Sequence, residues 1–164
     1  MNDIFQNLYA KFKLGEMPLS EFVGHLPNIG DFSDDLILAI EEQLAKQDRQ
    51  KISQLVHVVY LVNSSKFANL FCKLLDNYRD DSYMEELAQL SVEIADKRMI
   101  PSMIRALDYE AAGDPDYNFN QWLVSALYKI GTPEAIEGIK IAAQSHFELV
   151  KEDAENRLRE IGQL

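Results

Sequence analysis

The chain has 164 residues, of which 47% are hydrophobic, so it can bury the core of one compact domain. It carries 27 acidic and 16 basic side chains, which gives a formal net charge of -11 at pH 7. This charge repels a phosphate backbone, so it disfavours nucleic acid as a partner and favours a basic protein surface. Solubility alone also explains an acidic composition, and that explanation stays open beside the first.

The sequence gives no sign of export or of a membrane span. Cys72 is the single cysteine, which excludes a disulfide within the chain. Residues 1–5 lack the basic and apolar stretches of a secretory signal, and no apolar run approaches the ~18 residues that a membrane helix needs. We therefore expect a cytoplasmic protein with no membrane partner.

Apolar residues recur at helical spacing along almost the whole chain, without strand-like alternation of useful length. Turn-forming residues divide this pattern into pieces of three or four helical turns. Ser33 precedes two aspartates and Thr132 precedes Pro133, which predicts both as helix N-caps. The predicted class is all-α, with an N-terminal capping pair of helices in residues 1–32 and hairpins at 33–63, 64–96, 97–131 and 132–164.

The ends of alternate helices reveal a repeat. Each closes with a branched apolar residue followed by a small or turn-forming one, and successive ends lie 33, 32, 36 and 31 residues apart. An insertion at residues 108–117 accounts for the longest interval. This near-constant period is typical of stacked helical hairpins. The five ends are Ile29-Gly30, Val62-Asn63, Ile94-Ala95, Ile130-Gly131 and Ile161-Gly162.

One junction points to a family. The run from Leu127 to Ile136, with Gly131 and Pro133 at its turn, resembles the hairpin junction of short HEAT-like repeats. The resemblance implies a right-handed α-solenoid of about four such hairpins after the capping pair. HEAT-like repeats act mainly as protein-binding scaffolds, so the resemblance implies binding without naming a partner.

No familiar catalytic or ligand motif is present. The sequence has no glycine-rich phosphate loop, no His-Glu-x-x-His and no paired cysteine or histidine ligands, so we expect no catalytic residue, cofactor or metal. Asp114-x-Asp116-x-Asn118 begins like a calcium loop, but Phe119 and Ser125 replace the required glycine and glutamate. These aspartates are expected to shape a turn, with Asp116 or Asn118 capping the next helix.

Aligning the second helices of the hairpins separates a core side from a surface side. The expected core columns are Val59, Ser91, Leu127, Leu158 and Leu55, Leu87, Leu123, Ala154. The columns on the opposite side are polar and mainly acidic, and the resemblance places them on the concave surface. Trp122 there suits an interface anchor, although burial under the insertion is an equal alternative. The predicted partner-binding residues of this surface are Glu86, Gln89, Glu93, Trp122, Ser125 and Asp153.

The turns inside the hairpins mix acidic residues with tyrosines, and they emerge along one edge of such a stack. Carboxylates steer a basic protein and tyrosines supply contact area, which favours a binding edge. A merely solvated acidic turn is the alternative for any one residue. The predicted edge residues are Asp76, Asp80, Asp81, Tyr83, Tyr109, Asp114, Asp116 and Tyr117.

The leading hypothesis is a non-catalytic protein that occludes a basic partner. Its concrete form is an immunity protein that covers the nucleic-acid site of a cognate nuclease toxin domain. One alternative is a scaffold or adaptor subunit whose groove binds a helix or peptide. Another is a lyase-like or chaperone-like HEAT protein that handles a small ligand, which requires an apolar pocket that the surface columns do not offer.

Overall fold

The computed structural model describes residues 1–62 and 64–164, and it leaves the side chains of Ser64 and Asp81 undescribed. The predicted helix end at Asn63 and the predicted contact residue Asp81 therefore lie, wholly or in their side chains, outside the described residues. In the described part all regular secondary structure is helical, which confirms the predicted all-α class. No helix in this part is long and apolar enough to cross a lipid bilayer.

The chain forms two compact units, unit 1 (Met1–Phe67) and unit 2 (Ala68–Leu164). Each segment predicted as a capping pair or hairpin holds two of the described α-helices. Unit 1 contains α1 (Asp3–Lys13), α2 (Leu19–His25), α3 (Ser33–Lys46) and α4 (Arg49–Val58), with 3-10 turns at Leu26–Asn28, Val59–Leu61 and Ser64–Phe67. Unit 2 contains α5 (Ala68–Asn77), α6 (Asp81–Ile94), α7 (Ile100–Ala106), α8 (Asn118–Ile130), α9 (Pro133–Ala142) and α10 (Glu148–Glu160), with a 3-10 turn at Lys97–Met99.

The core of unit 1 is built on aromatic rings. The ring of Phe5 is fully buried, and its centroid lies 5.2 Å from that of Phe32, 5.8 Å from Phe22 and 5.9 Å from Tyr9. Aromatic pairs at these separations add to the stability that burial alone supplies. Phe5 therefore joins α1, α2 and the start of α3 through one cluster of rings.

A buried polar network ties α1 to α3. Gln43 donates a hydrogen bond to the Tyr9 hydroxyl at 2.5 Å, and that hydroxyl donates to a Glu42 carboxylate oxygen at 3.0 Å. Burial raises the pKa of Tyr9, so its hydroxyl keeps its proton and remains a donor. Lys13 reaches the same carboxylate at 3.2 Å, and the network thereby fixes the register of α1 against α3.

Unit 2 has two layers of helices. In one layer α5 contacts α7 and α7 contacts α9, while in the other α6 contacts α8 and α8 contacts α10. Gly138 on α9 permits a close approach, because a β-carbon there would lie 3.0 Å from Ile104 of α7 and 3.1 Å from Leu127 of α8.

The expected core columns are confirmed, since all eight residues are buried: Val59, Ser91, Leu127, Leu158, Leu55, Leu87, Leu123 and Ala154.

The two predicted N-caps have different outcomes. Thr132 is confirmed, because its hydroxyl accepts the backbone N–H of Ala135 at 3.3 Å. Ser33 is wrong as a cap: α3 begins at Ser33 itself, whose N–H and hydroxyl both donate to the Asp31 carboxylate, at 2.9 and 2.5 Å. The N-cap residue of α3 is Phe32, which makes no side-chain cap bond, and the Asp31 carboxylate instead holds Ser33 at the first helical position.

Candidate partner-binding surface

Unit 2 brings the predicted surface residues onto one side of α6, α8 and α10, here called the helix face. Its members are Glu86, Gln89 and Glu93 on α6, Trp122 and Ser125 on α8, and Asp153 on α10. The contacts of α8 with both α6 and α10 make the three helices neighbours. Each member lies on the side of its helix opposite the buried columns.

Trp122 lies on α8, the middle helix of this face. Its side chain is 37% exposed, whereas the next residue, Leu123, is fully buried. Trp122 is therefore partly exposed and lies outside the fully buried core. A half-exposed indole combines a large apolar surface with one polar N–H group, which is the composition of an interface anchor.

Arg157 of α10 connects two of the predicted residues. It donates to Asp153 on its own helix at 3.1 Å and to the Ser125 hydroxyl on α8 at 2.9 Å. Its guanidinium also lies 5.1 Å from the centroid of the Tyr128 ring. Arg157 therefore braces α8 against α10 and partly neutralises Asp153. Sequence analysis missed this residue, although the four-residue spacing from Asp153 signals such a pair on a helix.

The α6 side of the face is more open and more acidic. Glu93 is exposed, while Glu86 and Gln89 line a shallow concavity of about 370 Å³. Lys129 of α8 donates to the backbone carbonyl of Val92 at 2.7 Å, so it binds the C-terminal turn of α6. The Lys129 ammonium keeps its positive charge in this position, so it offsets part of the negative charge of Glu86 and Glu93.

The predicted acidic edge contains residues that serve the fold. Arg105 of α7 donates to both carboxylate oxygens of Asp76 of α5, at 3.1 and 2.7 Å, and Ser102 adds a bond at 2.8 Å. The Arg105 hydrogen bonds hold the pKa of Asp76 below its usual value. Asp80 accepts the N–H of Ser82 at the start of α6. The charge of Asp76 is thus matched inside unit 2.

Tyr83 requires a correction. Its ring was expected to supply exposed contact area, but it is buried, with 1% exposure, and its hydroxyl donates to the backbone carbonyl of Tyr78. The physical reason is helical spacing: Tyr83 lies four residues before Leu87 and so shares the buried side of α6. The side chain of Asp81, its neighbour in the predicted edge, is outside the described residues.

The insertion is organised by Asp114 and Asn120. The Asp114 carboxylate accepts the N–H groups of Asn118 and Phe119 at 3.0 and 2.9 Å, so the prediction that Asp116 or Asn118 caps α8 is wrong. Asp114 prevails because Tyr117 adopts a left-handed conformation, with φ 53°, at the position before the helix. The buried amide of Asn120 donates to two backbone carbonyls at the start of this segment, at 2.7 and 2.8 Å, which fastens it to α8.

Both tyrosines of the insertion are half-buried and pack against neighbours. Tyr109 meets the ring of Phe119 edge-on at 5.4 Å, and Tyr117 stacks on Phe147 at 4.2 Å. The exposed carboxylates of the insertion are those of Asp108, Glu110 and Asp116. No ion pair to any of them is found among the described residues.

Among the described residues no group of three or more histidine, cysteine or acidic side chains is arranged to hold a metal ion. A scan against family models, a search of curated proteins and a search of solved structures each return no match to this chain.

Proposed function

We propose that the chain is a non-catalytic protein-binding module whose helix face receives a basic protein partner. The observation that carries this proposal is the 37% exposure of Trp122 on α8, between two helices whose outward residues are polar and acidic. Tryptophan is enriched among the few residues that dominate binding energy. The surrounding carboxylates would steer a basic surface toward it and disfavour other partners.

The distribution of charge supports this location. Unit 2 contains 18 acidic and 10 basic residues, a net charge of -8, whereas unit 1 contains 9 and 6, a net charge of -3. Most of the surplus charge therefore belongs to the unit that carries the helix face. A basic protein would be attracted to unit 2 over distances of about 8–10 Å at physiological salt.

The proposal includes a HEAT-like, right-handed α-solenoid. Its support is the layered contact pattern of unit 2, in which first helices contact first helices and second helices contact second helices. In such an arrangement the second helices α6, α8 and α10 line the concave side, and the helix face is the floor of the groove. Trp122 would then meet the centre of a bound surface.

The concrete form of the proposal is a cytoplasmic immunity protein that covers the positively charged nucleic-acid site of a cognate nuclease toxin domain. Such a site is lined by lysine and arginine, because it must hold phosphates. An acidic face with an aromatic anchor matches that chemistry. The exposed carboxylate of Glu93 would take the place of a phosphate group.

The first test is affinity capture with wild-type protein, Trp122→Ala and the control Leu38→Ala, which removes an apolar side chain that is 53% exposed in unit 1. We expect a basic protein that the wild type and the control retain and that Trp122→Ala loses. Surface plasmon resonance should then show faster dissociation of Trp122→Ala and a loss of about 2 kcal/mol, close to thirtyfold.

Salt tests the electrostatic half of the proposal. Raising the salt concentration, or combining Glu86→Gln with Glu93→Gln, should slow association more than it changes dissociation. Association that is independent of salt would remove steering from the proposal. A folded Trp122→Ala variant that binds the basic partner normally would overturn the anchor, and circular dichroism of that variant establishes that it is folded.

A further inference from the structure

A second concave site lies at the end of unit 2, between the insertion and the C-terminal end of α9. It is a cleft of about 300 Å³. Leu107 and Ala142 form its buried apolar floor, and Ile141 stands at its rim with 51% of its side chain exposed. Asp108 lies on one wall, and the polar residues Gln144, Ser145 and His146 form the other.

Contacts within unit 2 hold both walls in place. On one side, Asn120 donates to the backbone carbonyl of Leu107 at 2.7 Å and thereby fixes the start of the insertion. On the other side, Phe147 stacks on Tyr117 at 4.2 Å, and the His146 ring lies 4.0 Å from that of Phe147. The cleft is therefore preformed, and binding into it would lose little conformational entropy.

The two segments that form the cleft carry only acidic charges, and the guanidinium of Arg79 lies 5.1 Å from the Tyr109 ring of the insertion. Residues 107–120 and 141–147 contain four acidic residues and no lysine or arginine. Asp108, in the cleft, and Glu110 and Asp116, on the same insertion, are exposed and have no ion-pair partner among the described residues. A cationic group beside Asp108 therefore gains electrostatic attraction.

We propose that this cleft is a second docking site, which takes one aliphatic side chain from a partner segment whose flanking residues are lysine or arginine. The apolar floor and Ile141 receive the aliphatic group, and the Asp108 carboxylate attracts a flanking cation. A volume at the lower limit of ligand pockets fits one or two side chains and not a drug-sized molecule. The proposal shares with the proposed function only the basic character of the partner.

The test uses the full chain, labelled with nitrogen-15, and synthetic pentapeptides. A leucine flanked by two lysines on each side should give saturable amide shifts at Asp108, Ile141 and His146. Replacing the central leucine with serine should weaken binding at least about tenfold, since the apolar contact is lost. Replacing the lysines with glutamates should abolish the shifts.

Variants separate this site from the helix face. Ile141→Ser, at an exposed position, should weaken binding of the leucine peptide about tenfold while the spectrum stays that of a folded protein. Trp122→Ala should leave it unchanged. Equal binding of the serine and leucine peptides, or an unaffected Ile141→Ser variant, would overturn the cleft. Loss of the shifts in Trp122→Ala would also overturn it, because the peptide would then sit on the helix face, and the proposed function would stand.

Discussion

Unit 1 and unit 2 are built from helices of similar length, yet they stabilise themselves in different ways. Unit 1 centres on stacked aromatic rings around Phe5 and on the buried hydroxyl of Tyr9. Unit 2 consists of two helical layers with a close approach at Gly138, and its buried rings, Phe71, Tyr83, Phe119 and Phe147, are spread among aliphatic side chains. The acidic surplus is also unequal, with -8 in unit 2 against -3 in unit 1.

This contrast separates what a core needs from what a surface does. Neither interior requires the extra carboxylates of unit 2, because buried charge opposes folding unless it is paired. Carboxylates such as those of Asp76 and Asp114 serve the fold, while those of Glu93, Asp108, Glu110 and Asp116 remain exposed. The exposed carboxylates lie on the same unit as Trp122 and the cleft, so both proposed binding sites belong to unit 2.

The largest expected effect is on unit 1. Phe5→Ala removes a fully buried ring that contacts three others, so it should lower the free energy of unfolding by about 3–5 kcal/mol. The chain's single tryptophan, Trp122, lies in unit 2 and reports on that unit. In urea, the circular dichroism transition of the variant should therefore shift further than its fluorescence transition.

Ile4→Ala is the matched control, since Ile4 is the neighbouring residue on α1 and is 56% exposed. It should change stability by no more than about 0.5 kcal/mol. If the circular dichroism and fluorescence transitions of Phe5→Ala shift by the same amount, the two units unfold cooperatively. The units would then differ in composition and not in independent stability.

An intermediate effect compares the same substitution in the two units. Gly138→Ala places a β-carbon 3.0 Å from Ile104 and 3.1 Å from the buried Leu127, so overpacking should destabilise the protein by about 1–3 kcal/mol. Gly24→Ala, on α2 with nothing within 4 Å, should stabilise it by about 0.5–1 kcal/mol. The urea midpoints of the two variants show whether each substitution raises or lowers the free energy of unfolding. A stabilising Gly138→Ala would show that α9 has room to move away.

The smallest effect is a dependence on pH. Arg105 lowers the pKa of Asp76 below its ordinary value of 3.8, so the folded state binds this proton less readily than the unfolded state. The pair's stabilisation is therefore present above about pH 3.8 and lost as the pH falls through the lowered pKa. Asp76→Asn should lower stability by at most about 1 kcal/mol at pH 7 and should weaken its acid dependence.

In unit 1, Glu42 offers the comparison. Burial acts to raise the pKa of Glu42, but hydrogen bonds from Lys46, Tyr9 and Lys13 outweigh it and hold the pKa below 4.5. Glu42→Gln should therefore also reduce acid sensitivity. Urea titrations of Asp76→Asn and Glu42→Gln at pH 3 and pH 7 measure how strongly the stability of each variant depends on pH. An Asp76→Asn variant that is as acid-sensitive as the wild type would show that Asp76 contributes nothing to the dependence.

Periodicity predicted the helical class and the core columns, because the side of a helix that faces inward follows from its spacing of 3.6 residues per turn. The same spacing also indicates that Tyr83 is buried, because it lies four residues before Leu87 on the same side of α6. The cap of α8 was beyond such reasoning. Asp114, and not Asp116, accepts the N–H groups at the start of α8 because the backbone at Tyr117 is left-handed. The sequence does not predict a left-handed conformation for a tyrosine.

The sequence by itself determined the helical class, the buried columns, the Thr132 cap and the acidic excess, since each of these depends on local spacing or on composition. Only the tertiary structure decided which carboxylates are matched by Arg105 and Arg157, how far Trp122 is exposed, and that Leu107 and Ile141 meet at one cleft. Those outcomes depend on distances between residues that are far apart in the chain, and helical periodicity contains no information about such distances.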